Sequence, residues 1–129
     1  MAELLLDVKN YLVAQIGSLT SAMVFRDYSP ADGILVVVLQ EYQGAPATLG
    51  ETVAHRSVQV TARSKDLVIA KNMAWAMYRA LQEPETLKVQ FTVGRWGLVY
   101  LRQTPYKMRI DEFGRVVYGF NMGVTTAND

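Results

Sequence analysis

Val53 to Leu81 reads VAHRSVQVTARSKDLVIAKNMAWAMYRAL, and the change of period inside it decides the fold class. In the first half Ala54, Val58, Val60 and Ala62 alternate with His55, Ser57, Gln59, Thr61 and Arg63. A side-chain period of two predicts a strand with one dry face and one wet face. In the second half Leu67, Ala70, Ala74, Met77, Tyr78 and Leu81 recur at spacings of three and four, which predicts a helix with an apolar stripe. Ser64 and Asp66 stand at the switch. Serine is a good N-cap, and an acid in the first turn suits the helix dipole. A long strand therefore turns sharply into a helix of about four turns.

Working outward, residues 3–17 predict another helix, with Leu5, Val8, Leu12 and Ile16 on one stripe and Gly17 as its stop. Residues 22–26 form a short strand, and Asp27 to Gly33 is turn chemistry punctuated by Pro30 and Asp32-Gly33. Ile34 to Leu39 is an unbroken apolar run, the pattern of a strand covered on both faces. One cover comes from the helices; the other requires a second layer or a neighbouring subunit. Gln43 to Glu51 is a polar loop with two glycines and a proline. Beyond Pro84, strands are expected at Leu87–Val93, Leu98–Gln103 and Arg115–Gly123, with a tight turn at Asp111 to Arg115. The order is α-β-β-β-α-β-β-β: an α+β domain, a mostly antiparallel sheet with two helices packed on one side.

The chain has 129 residues, which predicts a single domain over 1–129 that buries a core without staples. Its 13 basic and 12 acidic residues give a net charge of +1, so no strongly basic field draws nucleic acid. With no cysteine, disulfides, thiolate catalysis and Cys-based metal sites are excluded. The N-terminal run is interrupted by Asp7, Lys9 and Asn10 and does not read as a signal peptide. No stretch approaches the roughly 18 apolar residues of a membrane span.

Catalytic, cofactor and metal sites are all expected to be absent. His55 is the only histidine and has no companion at metal-ligand or acid–base spacing. Asp111 and Glu112 are adjacent, so on a strand they would diverge; with Phe113-Gly114-Arg115 they form a turn in which Gly114 supplies a positive φ. No phosphate-binding glycine loop or nucleophile elbow is present. Two other classes are open to the residues alone: a small α+β enzyme or ligand-binding module with His55 or Asp111 in a cleft, and a nucleic-acid-binding module stacking bases on Arg95, Trp96, Tyr100 and Arg102.

The helix from Asp66 to Gln82 is apolar well beyond one stripe. Val68, Ile69, Met73, Trp75, Ala76 and Ala80 add a second face. Such a helix is buried nearly all round, either between layers of its own chain or against another subunit.

Two segments carry a family resemblance. One is Val58-Gln59-Val60-Thr61-Ala62-Arg63-Ser64 followed by Ala70, Ala74, Met77 and Leu81. The other is Gln103-Thr104-Pro105, Arg109, Asp111-Glu112, Phe113-Gly114-Arg115, Val117-Tyr118, Phe120-Asn121 and Val124. With the first helix and the strand after Gly33 they resemble the small minor capsid proteins of long-tailed bacteriophages, which overlap structurally with tail terminator (head–tail joining) proteins. The resemblance implies a non-enzymatic virion part without cofactors. It implies a homo-oligomer, a hexameric ring at the head–tail junction, built in the host cytoplasm. Such a ring caps the tail tube and joins it to the head connector. DNA would pass only as cargo, and no membrane is involved.

A ring needs complementary patches on opposite sides of each subunit. Val68, Ile69, Met73, Trp75, Ile34 and Val36 are the expected subunit interface. Gly44, Ala45, Pro46 and Leu49 would form a partner-docking loop, and Arg63, Lys65, Lys71, Arg102 and Arg109 would line a channel.

Overall fold

The computed structural model describes residues 4–31, 33–42, 53–82, 88–92 and 95–127. Helix α1 spans Leu4–Gln15, β1 Val24–Arg26, β2 Val36–Tyr42, β3 Val53–Ser64 and α2 Leu67–Gln82. Then come β4 at Lys88–Thr92, β5 at Arg95–Leu101, β6 at Tyr106–Ile110 and β7 at Val116–Ala127. The expected α+β order holds, with one strand more than the sequence suggested. Tyr106 to Ile110 follows Pro105, which reads as a break. Yet the proline marks only the bend between β5 and β6, and both strands pair with the same side of β7.

The sheet runs β1-β2-β3-β7-β5-β4, with β6 also on β7. Only β1–β2 is parallel. The centre is the β3–β7 pair, in register over both strands' full length from Val53↔Ala127 to Ser64↔Val116. Gly119 faces Thr61 there, and a Cβ on it would lie 2.1 Å from the Val60 carbonyl oxygen. Only glycine permits that backbone approach.

On the front face of the sheet, α2 lies over β3 and β7, while α1 touches α2, β1, β2 and β4. Val37 and Leu39 of β2, Val58, Val60 and Ala62 of β3, and Phe120, Met122 and Val124 of β7 meet Leu4, Leu5, Val8 and Leu12 of α1 in one core. From α2 the core takes Met73, Ala74, Met77, Ala80 and Leu81. The Tyr11 hydroxyl donates to the Ala80 carbonyl at 2.9 Å and ties the helices together. Tyr78 stacks edge-on against both Phe120 and Trp75.

The phase of α2 departs from the expected stripe. Met73 and Ala80 belong to the core, whereas Leu67 is 45% exposed. In the first turn of α2, Leu67, Val68 and Ile69 are exposed, and only Ala70 is buried. The cap also shifts: the Asp66 carboxylate accepts from the Val68 N–H at 2.9 Å, and Ser64 Oγ instead holds the Asp66 N–H at 3.1 Å. Asp66 is thus the residue that caps the helix.

One face of β3 was expected to be wet, and at one end of the sheet's back face it is not. Thr61 and Arg63 are buried there, as are Val36, Val38 and Val117, and Ser57 is buried nearer the other end of β3, where Arg102 reaches it. The double cover over Val36–Leu39 comes from this chain, with no neighbouring subunit needed. Ile34 lies outside β2 and is 82% exposed.

Candidate functional site

The buried end of the back face is built around one carboxylate. Asp111 and Arg115 close the β6–β7 turn, with Asp111 N–H donating to the Arg115 carbonyl at 2.8 Å and Gly114 at φ +78°. Asp111 Oδ1 accepts from the backbone N–H groups of Phe113 (3.0 Å) and Arg115 (2.9 Å), and Oδ2 accepts from Arg115 Nε at 3.0 Å. The Arg63 guanidinium stands 4.0 Å from Oδ2. The expected tight turn is therefore also an anchor for two buried arginines.

Arg115 is 1% exposed. Its Nη2 donates to the Pro30 carbonyl at 2.7 Å and to Ser29 Oγ at 3.1 Å, pinning the segment that leads into β2. Its guanidinium lies over the Phe113 ring, 5.2 Å from the centroid. Arg63 Nε donates to Thr61 Oγ1 at 3.4 Å, and Thr61 Oγ1 donates to the Val38 carbonyl at 3.3 Å.

Charge and burial oppose each other here. Burial would push the Asp111 carboxyl up, but the N–H groups of Arg115 and Phe113 and the Arg115 guanidinium outweigh it and hold it below the usual carboxylate range. Burial, followed by the repulsion of Arg109, draws Arg63 below the ordinary arginine value, with Asp111 pulling the other way. Two buried guanidiniums share one carboxylate, and the cluster holds an excess of positive charge.

Beside this cluster lies an open groove of about 430 Å³. Arg115, Ser64, Lys65 and Asp66 form one wall and Ile34 and Ile69 contribute apolar surface. Leu67 and Val68 (61% exposed) are also exposed at the start of α2. A second exposed apolar set, Tyr100, Tyr106 and Ile110, lies on β5 and the edge strand β6.

The residues expected to form a subunit interface thus divide. Ile34 and Ile69 line one groove, Val68 is exposed at the neighbouring position of α2, and Trp75 is half-buried under Arg79, whose guanidinium sits 5.5 Å from its ring centroid. Val36 and Met73 are 2% and 7% exposed and covered by their own chain, because alternate residues of β2 and the inner face of α2 point into the two cores.

The basic residues expected in a channel also separate. Arg63 is buried against Asp111 rather than open to a lumen. Arg102 is exposed, lies over Gly123 on the back face and donates to Ser57 Oγ at 3.1 Å. Arg109 is exposed on β6, Lys65 is exposed at the α2 junction, and Lys71 is exposed on α2 in the opposite layer. The loop with Gly44, Ala45, Pro46 and Leu49 lies outside the described residues, as do the side chains of His55, Arg95 and Trp96.

What sequence reasoning missed is the Asp111–Arg115 pair and its tie to Arg63. The available signal was an acid and an arginine bracketing a glycine turn, opposite an arginine on the strand that pairs with β7. Among the described residues no group of acidic or histidine side chains could hold a metal ion, and no helix is long and apolar enough to cross a membrane.

Comparison with known proteins adds one result. The family model described as bacteriophage tail terminator protein matches residues 8–128, nearly the whole chain. No curated protein matches the sequence. The match takes in all of α2, most of α1, all seven strands and the buried arginine cluster, and it places the chain in the family of bacteriophage tail terminator proteins, structural components of the virion.

Proposed function

We propose that the protein assembles into a homo-oligomeric ring of six subunits at the head–tail junction. There it caps the tail tube and joins it to the head connector. The observation that carries this reading is the exposed apolar surface of Ile34, Leu67, Val68 and Ile69 on a chain of the tail terminator family. Isolated exposed apolar residues are ordinary, but a contiguous set at one helix terminus marks a contact surface.

A closed ring joins two different patches of each subunit, and Tyr100 and Tyr106, which share the back face, would supply the second. The edge strand β6 adds unpaired backbone and carries Lys107 and Arg109, the kind of charge that keeps a free edge from pairing indiscriminately. Trp75 would border the first patch, and the loop with Gly44, Ala45, Pro46 and Leu49 would dock on the partner. Arg102 and Arg109, both exposed on the back face, would line a lumen through which DNA passes, with Lys65 and Lys71 exposed elsewhere on the subunit.

The test mixes the purified chain with tail tubes and with connector, followed by sedimentation and electron microscopy. A ring on the tube end that stops further tube growth is expected. Failure to associate with either structure would refute the reading.

A further inference from the structure

Glu41 is the one acid in the seven strands, and it stands opposite Val58, turned to the front of the sheet, where it pairs with Arg56. The strands therefore present no carboxylate on the back face. What they present there is a row of amides: Gln40 of β2, Gln59 of β3 and Asn121 of β7 lie directly opposite one another in register. Gln59 Nε2 donates to Asn121 Oδ1 at 3.2 Å, so the row is joined and carries no charge.

Arg102 stands on this face, exposed but held. Its backbone N–H donates to the Asn121 carbonyl at 3.1 Å, and its Nη2 donates to Oγ of the buried Ser57 at 3.1 Å. The guanidinium fills the space that a glycine leaves at position 123, where a Cβ would stand 3.3 Å from Nη2. A guanidinium already fixed in place loses little freedom when it meets a ligand. Arg109, opposite Val117, faces the same side, where Arg63 and Arg115 already outnumber Asp111. Exposed guanidiniums on a face with no carboxylate to repel an anion suit the oxygens of a phosphodiester.

We propose that the back face meets duplex DNA through its phosphates, with Arg102 as the fixed contact, Ser57 and Gly123 as the residues that position it, and Arg109 as a second cation. This rests on the reading of a lumen through which DNA passes but is measured on the isolated chain, so it can fail while ring assembly stands, and the reverse. Two cations per subunit make a weak, sequence-independent contact, in keeping with a net charge of only +1. An acidic protein segment would also need cover for its apolar side chains, which a row of amides does not give.

The experiment follows the full chain against short labelled DNA duplexes by fluorescence anisotropy across a low-salt series, with polyglutamate and a single strand of equal length as competitors. Duplexes of unrelated sequence should bind alike, and the logarithm of the affinity should fall with the logarithm of salt at a slope of about −2. Arg102→Ala and Arg109→Ala should each bring that slope down by about one. Arg109 is exposed on the edge strand, so its variant should keep the wild-type thermal melt. Ser57→Ala leaves both cations in place and should weaken binding severalfold at an unchanged slope, the mark of a positioning residue. No binding, or a salt slope that neither arginine variant moves, would overturn the proposal. So would equal affinity for polyglutamate, which would make this a surface for acidic protein. Tighter binding of the single strand would also overturn it, because bases rather than duplex phosphates would then be recognised.

Discussion

The two faces of the central β3–β7 pair are held by different chemistry. On the front, Val58, Val60, Ala62, Phe120 and Met122 lie under two helices in an apolar core. On the back, β3 buries Thr61 and Arg63, and Arg115 and Asp111 close over that end. The front derives its stability from area removed from water. The back depends on a single carboxylate balancing two guanidiniums. A core of the first kind tolerates a change of shape; one of the second kind does not tolerate the loss of one partner.

The sharpest break in the comparison is a charge on the front. Ala74 is 0% exposed beneath α2. Ala74→Asp buries an unpaired carboxylate, costs several kcal/mol and should abolish the cooperative thermal transition followed by circular dichroism. A retained transition at the wild-type temperature would mean that α2 does not pack with this face inward.

Next comes the loss of a charge on the back. Asp111→Ala leaves Arg63 and Arg115 unbalanced and should cost about 3–5 kcal/mol in chemical denaturation. The effect carries a pH signature. Because the folded Asp111 carboxyl is held below its ordinary value, its contribution is fully present above the unfolded value of about 4. It is lost as pH falls through the lower folded value. Wild type should therefore lose stability on acidification below about pH 4, and Asp111→Asn should lack that part of the slope. Parallel pH profiles would show that Asp111 does not carry the network.

A smaller effect belongs to the seam between the faces. Gly119→Ala drives a Cβ into the Val60–Thr61 backbone, which cannot swing aside as a side chain could. A loss of about 1–3 kcal/mol is expected from denaturant melts. A neutral result would mean that β7 shifts freely against β3.

How much of this is legible in the sequence follows from the same contrast. The front core announces itself through period: Val58, Val60 and Ala62 alternate, and Ala70, Ala74, Met77 and Leu81 recur at helical spacing. The α+β architecture, the element order and the hairpin turn at Gly114 all follow from local pattern. The back face does not, because Thr61, Arg63 and Arg115 carry letters that normally mean solvent. Their burial depends on Asp111, which lies 48 positions from Arg63 and meets it only through the β6–β7 turn. Leu67 and Val36 show the converse. Both are apolar, but Leu67 is 45% exposed and Val36 is buried on the face away from the helices, and period alone does not say which is covered. The exposed surface proposed as a contact is therefore only half legible: Ile34, Val68 and Ile69 are identifiable as apolar excess, while Lys65 and Arg115, which line the groove with Ile34 and Ile69, emerge only from the folded geometry.

The least stability change and the largest functional change should come from the same substitution. Val68 is 61% exposed, so Val68→Asp should shift folding stability by no more than about 0.5 kcal/mol. If Val68 lies in the subunit contact, a buried carboxylate there would prevent association. The most direct measurement is tail-tube co-sedimentation combined with light scattering, comparing wild type and Val68→Asp at equal concentration. Ring-sized assemblies on tube ends for wild type, and a folded but unassembled Val68→Asp, are the predicted result. A variant that still assembles on tubes as wild type does would contradict the account.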